Sequence, residues 1–141
     1  MTRNQLSPAQ RHECSPAPAK VLIVEGNPAN AEMAVLVLAH AGYDSLRVPT
    51  GAQAVAAIPL WHPDLVLLDL VLPDLDGSEV CRRLRLSTSA PILIISTETD
   101  AAVIDLAMAA GASDYLRKPF RTGDLLTRIH ARLATGSAAA Q

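Results

Sequence analysis

Strand-length apolar runs alternate with helix signals five times along the middle of this chain. Val-Leu-Ile-Val at 21–24, Leu-Val-Leu-Leu at 65–68 and Ile-Leu-Ile-Ile at 92–95 are continuously apolar. Runs of that kind, bounded by turn residues, predict strands buried on both faces. A less apolar run at 43–48 predicts a strand nearer an edge, and a short fifth strand is expected at 115–117. Between them lie helix signals. Asn27 and Pro28 supply an N-cap and a first-turn proline for a helix closed by Gly42. Thr50 and Gln53 form a capping-box pattern for a second helix, expected to end near Ile58 and Pro59. Asp76 and Glu79 open a third helix, and Asp100 a fourth, closed by Gly111. Leu125, Leu126, Ile129 and Leu133 give the last helix one apolar face. Strands alternating with helices imply an α/β fold: a parallel sheet covered on both sides.

Only 3% of the residues are aromatic although half are apolar, so Leu, Val, Ile and Ala must build the core. A net charge of −2 without a basic block argues against nucleic-acid binding by this segment. Cys14 and Cys81 lack metal-type spacing, and His12, His40, His62 and His130 are scattered. No apolar run reaches membrane-spanning length, which points to a cytoplasmic protein with no membrane contact and no disulfide. Residues 1–19 read as a flexible tail, 20–135 as one folded domain and 136–141 as a second flexible tail.

Polar residues gather just after the strands: Glu25, Asp69, Ser96 with Thr97 and Glu98, and Lys118. Strand C-termini of an open α/β sheet lie along one edge, where ligands bind. Asp69 there suits a nucleophile, a metal ligand or a phosphate acceptor. Two acids, a hydroxyl and a lysine together suit a phosphoryl group beside a divalent cation, because acids hold Mg²⁺ while hydroxyl and ammonium groups bind phosphoryl oxygens.

Four segments in order resemble the receiver domain of two-component response regulators, over roughly residues 19–135. They are Val-Leu-Ile-Val-Glu-Gly-Asn-Pro, Pro-Asp-Leu-Val-Leu-Leu-Asp-Leu-Val-Leu-Pro-Asp-Leu-Asp-Gly, Pro-Ile-Leu-Ile-Ile-Ser and Gly-Ala-Ser-Asp-Tyr-Leu-Arg-Lys-Pro-Phe. The resemblance implies a flavodoxin-like (βα)₅ three-layer sandwich with five parallel strands in the order 2-1-3-4-5. It implies that Asp69 accepts a phosphoryl group from a sensor histidine kinase or histidine phosphotransfer protein. Ser96 would be the switch hydroxyl, Lys118 the partner of the phosphoryl oxygens and Tyr115 the aromatic switch. Pro119 would follow a cis peptide bond. Glu25, Asp69 and the carbonyl of Val71 would hold Mg²⁺. The fourth helix, fifth strand and last helix would form the surface for a homodimer or an effector.

The chain departs from the family at one position of the site. Receivers carry two adjacent acids after the first strand, and here Glu25 is followed by Gly26. Mg²⁺ is therefore expected to bind weakly or not at all, with Asp74 as a replacement oxygen within reach in sequence. Two functional readings stay open: a switch phosphorylated on Asp69, or a degenerate pseudo-receiver that works as a binding or dimerisation module without phosphorylation. Neither is a turnover enzyme. Haloacid-dehalogenase-like phosphatases share an Asp, Ser/Thr, Lys set but need a further Asp two residues after the nucleophile, where this chain has Val71. The fourth helix, with Asp105 as its sole interior charge, is either more buried than a surface helix or an apolar contact face.

Overall fold

The three apolar runs become the middle of a five-stranded parallel sheet. A computed structural model describes residues 17–140. Its strands are β1 (Lys20–Val24), β2 (Asp44–Val48), β3 (Leu65–Leu68), β4 (Ile92–Ser96) and β5 (Asp114–Arg117), in the order β2-β1-β3-β4-β5. Its helices are α1 (Pro28–His40), α2 (Gly51–Trp61), α3 (Gly77–Ser87), α4 (Ala101–Ala109) and α5 (Thr122–Ala140). This is the flavodoxin-like arrangement expected.

Strand alternation divides the core in two. Leu22, Val24, Val66, Leu68 and Ile94 pack with Ala54 and Ile58 of α2, Val80, Cys81 and Leu84 of α3, and Ala107 of α4. Val21, Ile23, Leu65, Leu67, Leu93 and Ile95 pack on the other face, against Leu38 of α1 and Leu125 and Ile129 of α5. Each such side chain removed from water contributes about 1.5–3 kcal/mol before ordering costs. Every residue of β1 after Lys20, and of β3 and β4, is buried, whereas β2 is only half-covered, as its mixed sequence implies for an edge.

Local signals act largely where the sequence places them. The Asn27 carboxamide oxygen accepts the N–H of Asn30 at 3.0 Å, and Thr50 Oγ1 accepts that of Gln53 at 3.1 Å. α2 nevertheless runs past Ile58 and Pro59 to Trp61, where His62 adopts a left-handed φ of 54°. Proline removes its own N–H bond and crowds the preceding turn, but near the helix end this does not stop a helix already packed through Ile58. α5 continues to Ala140, past residue 135 where the sequence suggests a boundary. The tail expected over 1–19 lies outside the described residues except at 17–19, and Cys14 lies outside them too.

α4 is not a buried helix. Ala107 is its single buried residue, while Leu106 is 61% exposed. Among the described residues no helix is long and apolar enough to cross a membrane.

Candidate functional site

The parallel register brings the ends of β1, β3, β4 and β5 to one edge of the sheet. Three backbone bonds lock the residues that follow the strands. The N–H of Asp69 donates to the carbonyl of Val24 (3.0 Å), that of Glu25 to Val48 (3.1 Å) and that of Lys118 to Ser96 (2.8 Å). Glu25 and Asp69 are thereby held in neighbouring positions, 3% and 6% exposed. The Lys118–Pro119 peptide bond is cis, as the resemblance implies.

Lys118 unites the acids. Its Nζ donates to Asp69 Oδ2 at 2.9 Å and to Glu25 Oε1 at 3.0 Å. The remaining carboxylate oxygens take backbone donors: Asp69 Oδ1 accepts the N–H of Val71 (2.9 Å), and Glu25 Oε2 that of Asn27 (3.1 Å). Two buried carboxyl groups share the one Lys118 ammonium. Burial raises the Glu25 carboxyl above its ordinary range, against the lowering pull of hydrogen bonds from Lys118 and Asn27. Burial pulls Lys118 the other way, but its hydrogen bonds to Asp69 and Glu25 outweigh that and hold the ammonium above the usual lysine range. At neutral pH Lys118 is charged.

Glu25, Asp69, Val71 and Lys118 line one open cavity of about 560 Å³, together with Gly26, Asn27, Asn30 and Thr97. Ser96 is fully buried at the end of β4 and is not part of that lining. Its Oγ accepts the N–H of Glu98 at 3.1 Å. Tyr115, half-buried on β5, donates its hydroxyl to the carbonyl of Glu98 at 2.5 Å and approaches that of Ser96 at 3.4 Å. Ser96 and Tyr115 therefore meet at the β4–α4 loop rather than at the cavity. Glu98 Oε2 accepts the N–H groups of Thr99 and Asp100 in the same loop.

The donor set accommodates Mg²⁺ with one carboxylate fewer than the family pattern. Mg²⁺ takes oxygen ligands and is commonly held by one or two carboxylates, with waters and phosphate oxygens completing the shell. Glu25, Asp69 and Val71 border the cavity, and two carboxylates with a backbone carbonyl are the oxygen donors such an ion takes. Among the described residues no group of three or more His, Cys, Asp or Glu side chains could hold a metal. Asp74 does not fill the gap. Its Oδ1 and Oδ2 accept the N–H groups of Gly51 and Ala52 at 2.9 and 3.0 Å, which commits it to the N-terminus of α2. Those same hydrogen bonds lower its pKa.

The family model for the response regulator receiver domain matches residues 21–130. The chain is 41% identical over 114 residues to the DNA-binding response regulator MtrA of Mycolicibacterium smegmatis, a match that covers 81% of this chain and 50% of MtrA. It is 36% identical over 113 residues to the transcriptional regulatory protein CseB of Streptomyces coelicolor, covering 80% of this chain and 48% of CseB. The chain thus spans about half the length of these curated relatives. A two-component response regulator from Clostridium difficile superposes with a TM-score of 0.80 at 28% identity, covering 82% of this chain and 96% of that one. A CheY-like receiver domain protein from Methanospirillum hungatei superposes with a TM-score of 0.83 at 24% identity, covering 86% and 98%, a likeness of fold. With the strand order, the strand-end carboxylates and the cis Lys118–Pro119 bond already in place, these matches make the chain a member of the response regulator receiver domain family.

Proposed function

We propose that Asp69 accepts a phosphoryl group from a histidine kinase or histidine phosphotransfer protein and that the modification switches a protein-contact surface. The observation that carries this reading is the pairing of Asp69 with Lys118 at the floor of an open cavity. An Asp69 oxygen attacks the phosphorus of the donor's phosphohistidine. A P–O bond forms, the P–N bond breaks, and the imidazole leaves with the electron pair of that bond. Lys118 remains beside the growing negative charge on the phosphoryl oxygens. Glu25, Asp69 and the carbonyl of Val71 would hold Mg²⁺, whose chemistry is to offset charge on those oxygens. With Gly26 in place of an acid, the affinity for the ion is low.

The switch runs through the β4–α4 loop. Ser96 turning toward the new acyl phosphate gives up the Glu98 N–H, and Tyr115 loses the fixed carbonyl that it now holds. The consequence is a shift of α4 and β5 between two states. The exposed side of α4, with Leu106 and Met108 on its two flanks, is the surface this shift presents to an effector or a second copy. On β5 and α5, Asp114 is already paired within the chain, with Arg128 at 2.8 Å and Arg132 at 3.7 Å. The domain acts in the cytoplasm as a signalling module without turnover of an external substrate. Nothing favours the phosphorylation-independent alternative over this reading.

The test is phosphorylation by a small donor. Incubation with acetyl phosphate and Mg²⁺ is expected to give one hydroxylamine-labile adduct by intact mass, absent from Asp69→Asn. No adduct with either that donor or a cognate kinase would sink the proposal.

A further inference from the structure

The β1–α1 loop is held from outside by a residue with no place in the family motifs. Arg47 lies on the edge strand β2, opposite Ile23 in the register, and is half-buried. Its Nε donates to the carbonyl of Glu25 at 3.0 Å, and its Nη2 to the carbonyl of Gly26 at 3.3 Å. The next β2 residue, Val48, accepts the N–H of Glu25. Two consecutive β2 residues thus fix three backbone groups around the Glu25–Gly26 peptide. Hydrogen bonds from a guanidinium are charge-assisted, and its planar fork reaches two acceptors at once.

Gly26 makes that clamp matter. It has no side chain to anchor, and glycine gives a loop more backbone freedom than any other residue. A Cβ at 26 would meet Pro73 Cδ at 3.3 Å and the Pro49 carbonyl at 3.5 Å, so a side chain there fits only if Pro73 gives by a few tenths of an ångström. Displacement of the loop backbone at Glu25 would carry its carboxylate away from Lys118 and from the N–H of Asn27. We propose that Arg47 is a positioning residue: by clamping the carbonyls of Glu25 and Gly26 it aims the Glu25 carboxylate into the Asp69–Lys118 cluster. Its effect on phosphorylation rests on the reading of Asp69 as acceptor, whereas the clamp itself does not.

The experiment is amide hydrogen exchange by NMR on the full chain without metal. The Asn27 amide reports on Glu25 directly because it donates to Oε2. In Arg47→Ala this amide is expected to exchange at least about tenfold faster while the Leu22 and Ile23 amides keep their rates. Arg47→Lys, which keeps the charge but loses the fork, should fall between. The increase should shrink when Gly26→Ala is combined with Arg47→Ala, because alanine restricts the same peptide. An unchanged Asn27 rate overturns the proposal. So does a rise in step with the strand amides, or full rescue by lysine. If Arg47→Ala does not fold, Arg47→Gln and Arg47→Lys carry the same comparison. A parallel measurement of acetyl phosphate labelling is expected to slow severalfold in Arg47→Ala. Absence of labelling in every variant, wild type included, would remove the acceptor reading and leave the exchange rates to decide the role of Arg47.

Discussion

Asp69 has two unlike flanks. Toward β4 and β5 it meets Lys118, and Tyr115 bonds the β4–α4 loop that follows Ser96. Toward β1 it meets Glu25 and then Gly26, where a carboxylate is missing and a backbone clamp from Arg47 stands close by. The difference separates two jobs within one site. The β5 flank supplies the Lys118 ammonium, while the β1 flank supplies one carboxylate, Glu25, followed by a glycine. A chain can lose part of the second without disturbing the geometry of the first.

Removing Lys118 is the most severe way to break this comparison. Lys118→Ala leaves two buried carboxylates side by side, and breaking a buried pair by deleting one partner costs about 3 kcal/mol or more. Urea unfolding at neutral pH is expected to show a loss of that size, together with loss of the Asp69 adduct. Retained stability would mean that the acids relax into solvent and that the cluster is looser than its distances indicate.

Gly26→Asp acts on the other flank. The cavity has room for the side chain if Pro73 gives by a few tenths of an ångström. Metal affinity by calorimetric Mg²⁺ titration is expected to rise about tenfold, or about 1.4 kcal/mol. An unchanged affinity would show that Glu25 and Asp69 already meet the ion's needs.

Glu25→Gln tests the coupling between the flanks through pH. The raised carboxyl of Glu25 means that the folded protein holds more protons than the unfolded one between the ordinary glutamate range and the raised value. Stability therefore falls as pH rises through that window. Asp74 and Glu79, both lowered, slope the opposite way, so the informative quantity is the difference between variant and wild type. In metal-free thermal melts, Glu25→Gln should gain on wild type as pH rises through the window and hold that gain above it. Parallel profiles would remove the burial penalty assigned to Glu25.

Asp74→Asn should have the smallest effect on the site. Its carboxylate caps α2, so Mg²⁺ affinity is expected to stay at the wild-type value while the melting temperature drops slightly. A weakened Mg²⁺ titration would place Asp74 in the metal site after all.

Much of this molecule is legible along the chain because its signals are local. Apolar runs of strand length predict β1, β3 and β4, and caps such as Asn27 and Thr50 act on N–H groups three residues away. The family motifs name Asp69, Ser96 and Lys118, and the acid missing at Gly26 is visible without coordinates. The misreading concerns reach: Asp74 lies close to the site in sequence but binds the N-terminus of α2. The apolar composition of α4 does not say whether the helix is covered, since that depends on which neighbours pack against it.

The sequence by itself determined the α/β alternation, the both-faces-buried strands and the identity of the groups at the strand ends. Strand order and family membership rested on its motifs. Only the tertiary structure decided that one ammonium bridges two carboxylates, that Ser96 is buried below the cavity and that Arg47 reaches a loop more than twenty residues earlier. The physical reason is separation. Periodicity and capping depend on neighbours a few residues apart, whereas the direction of a side chain is set by packing between segments distant in the chain.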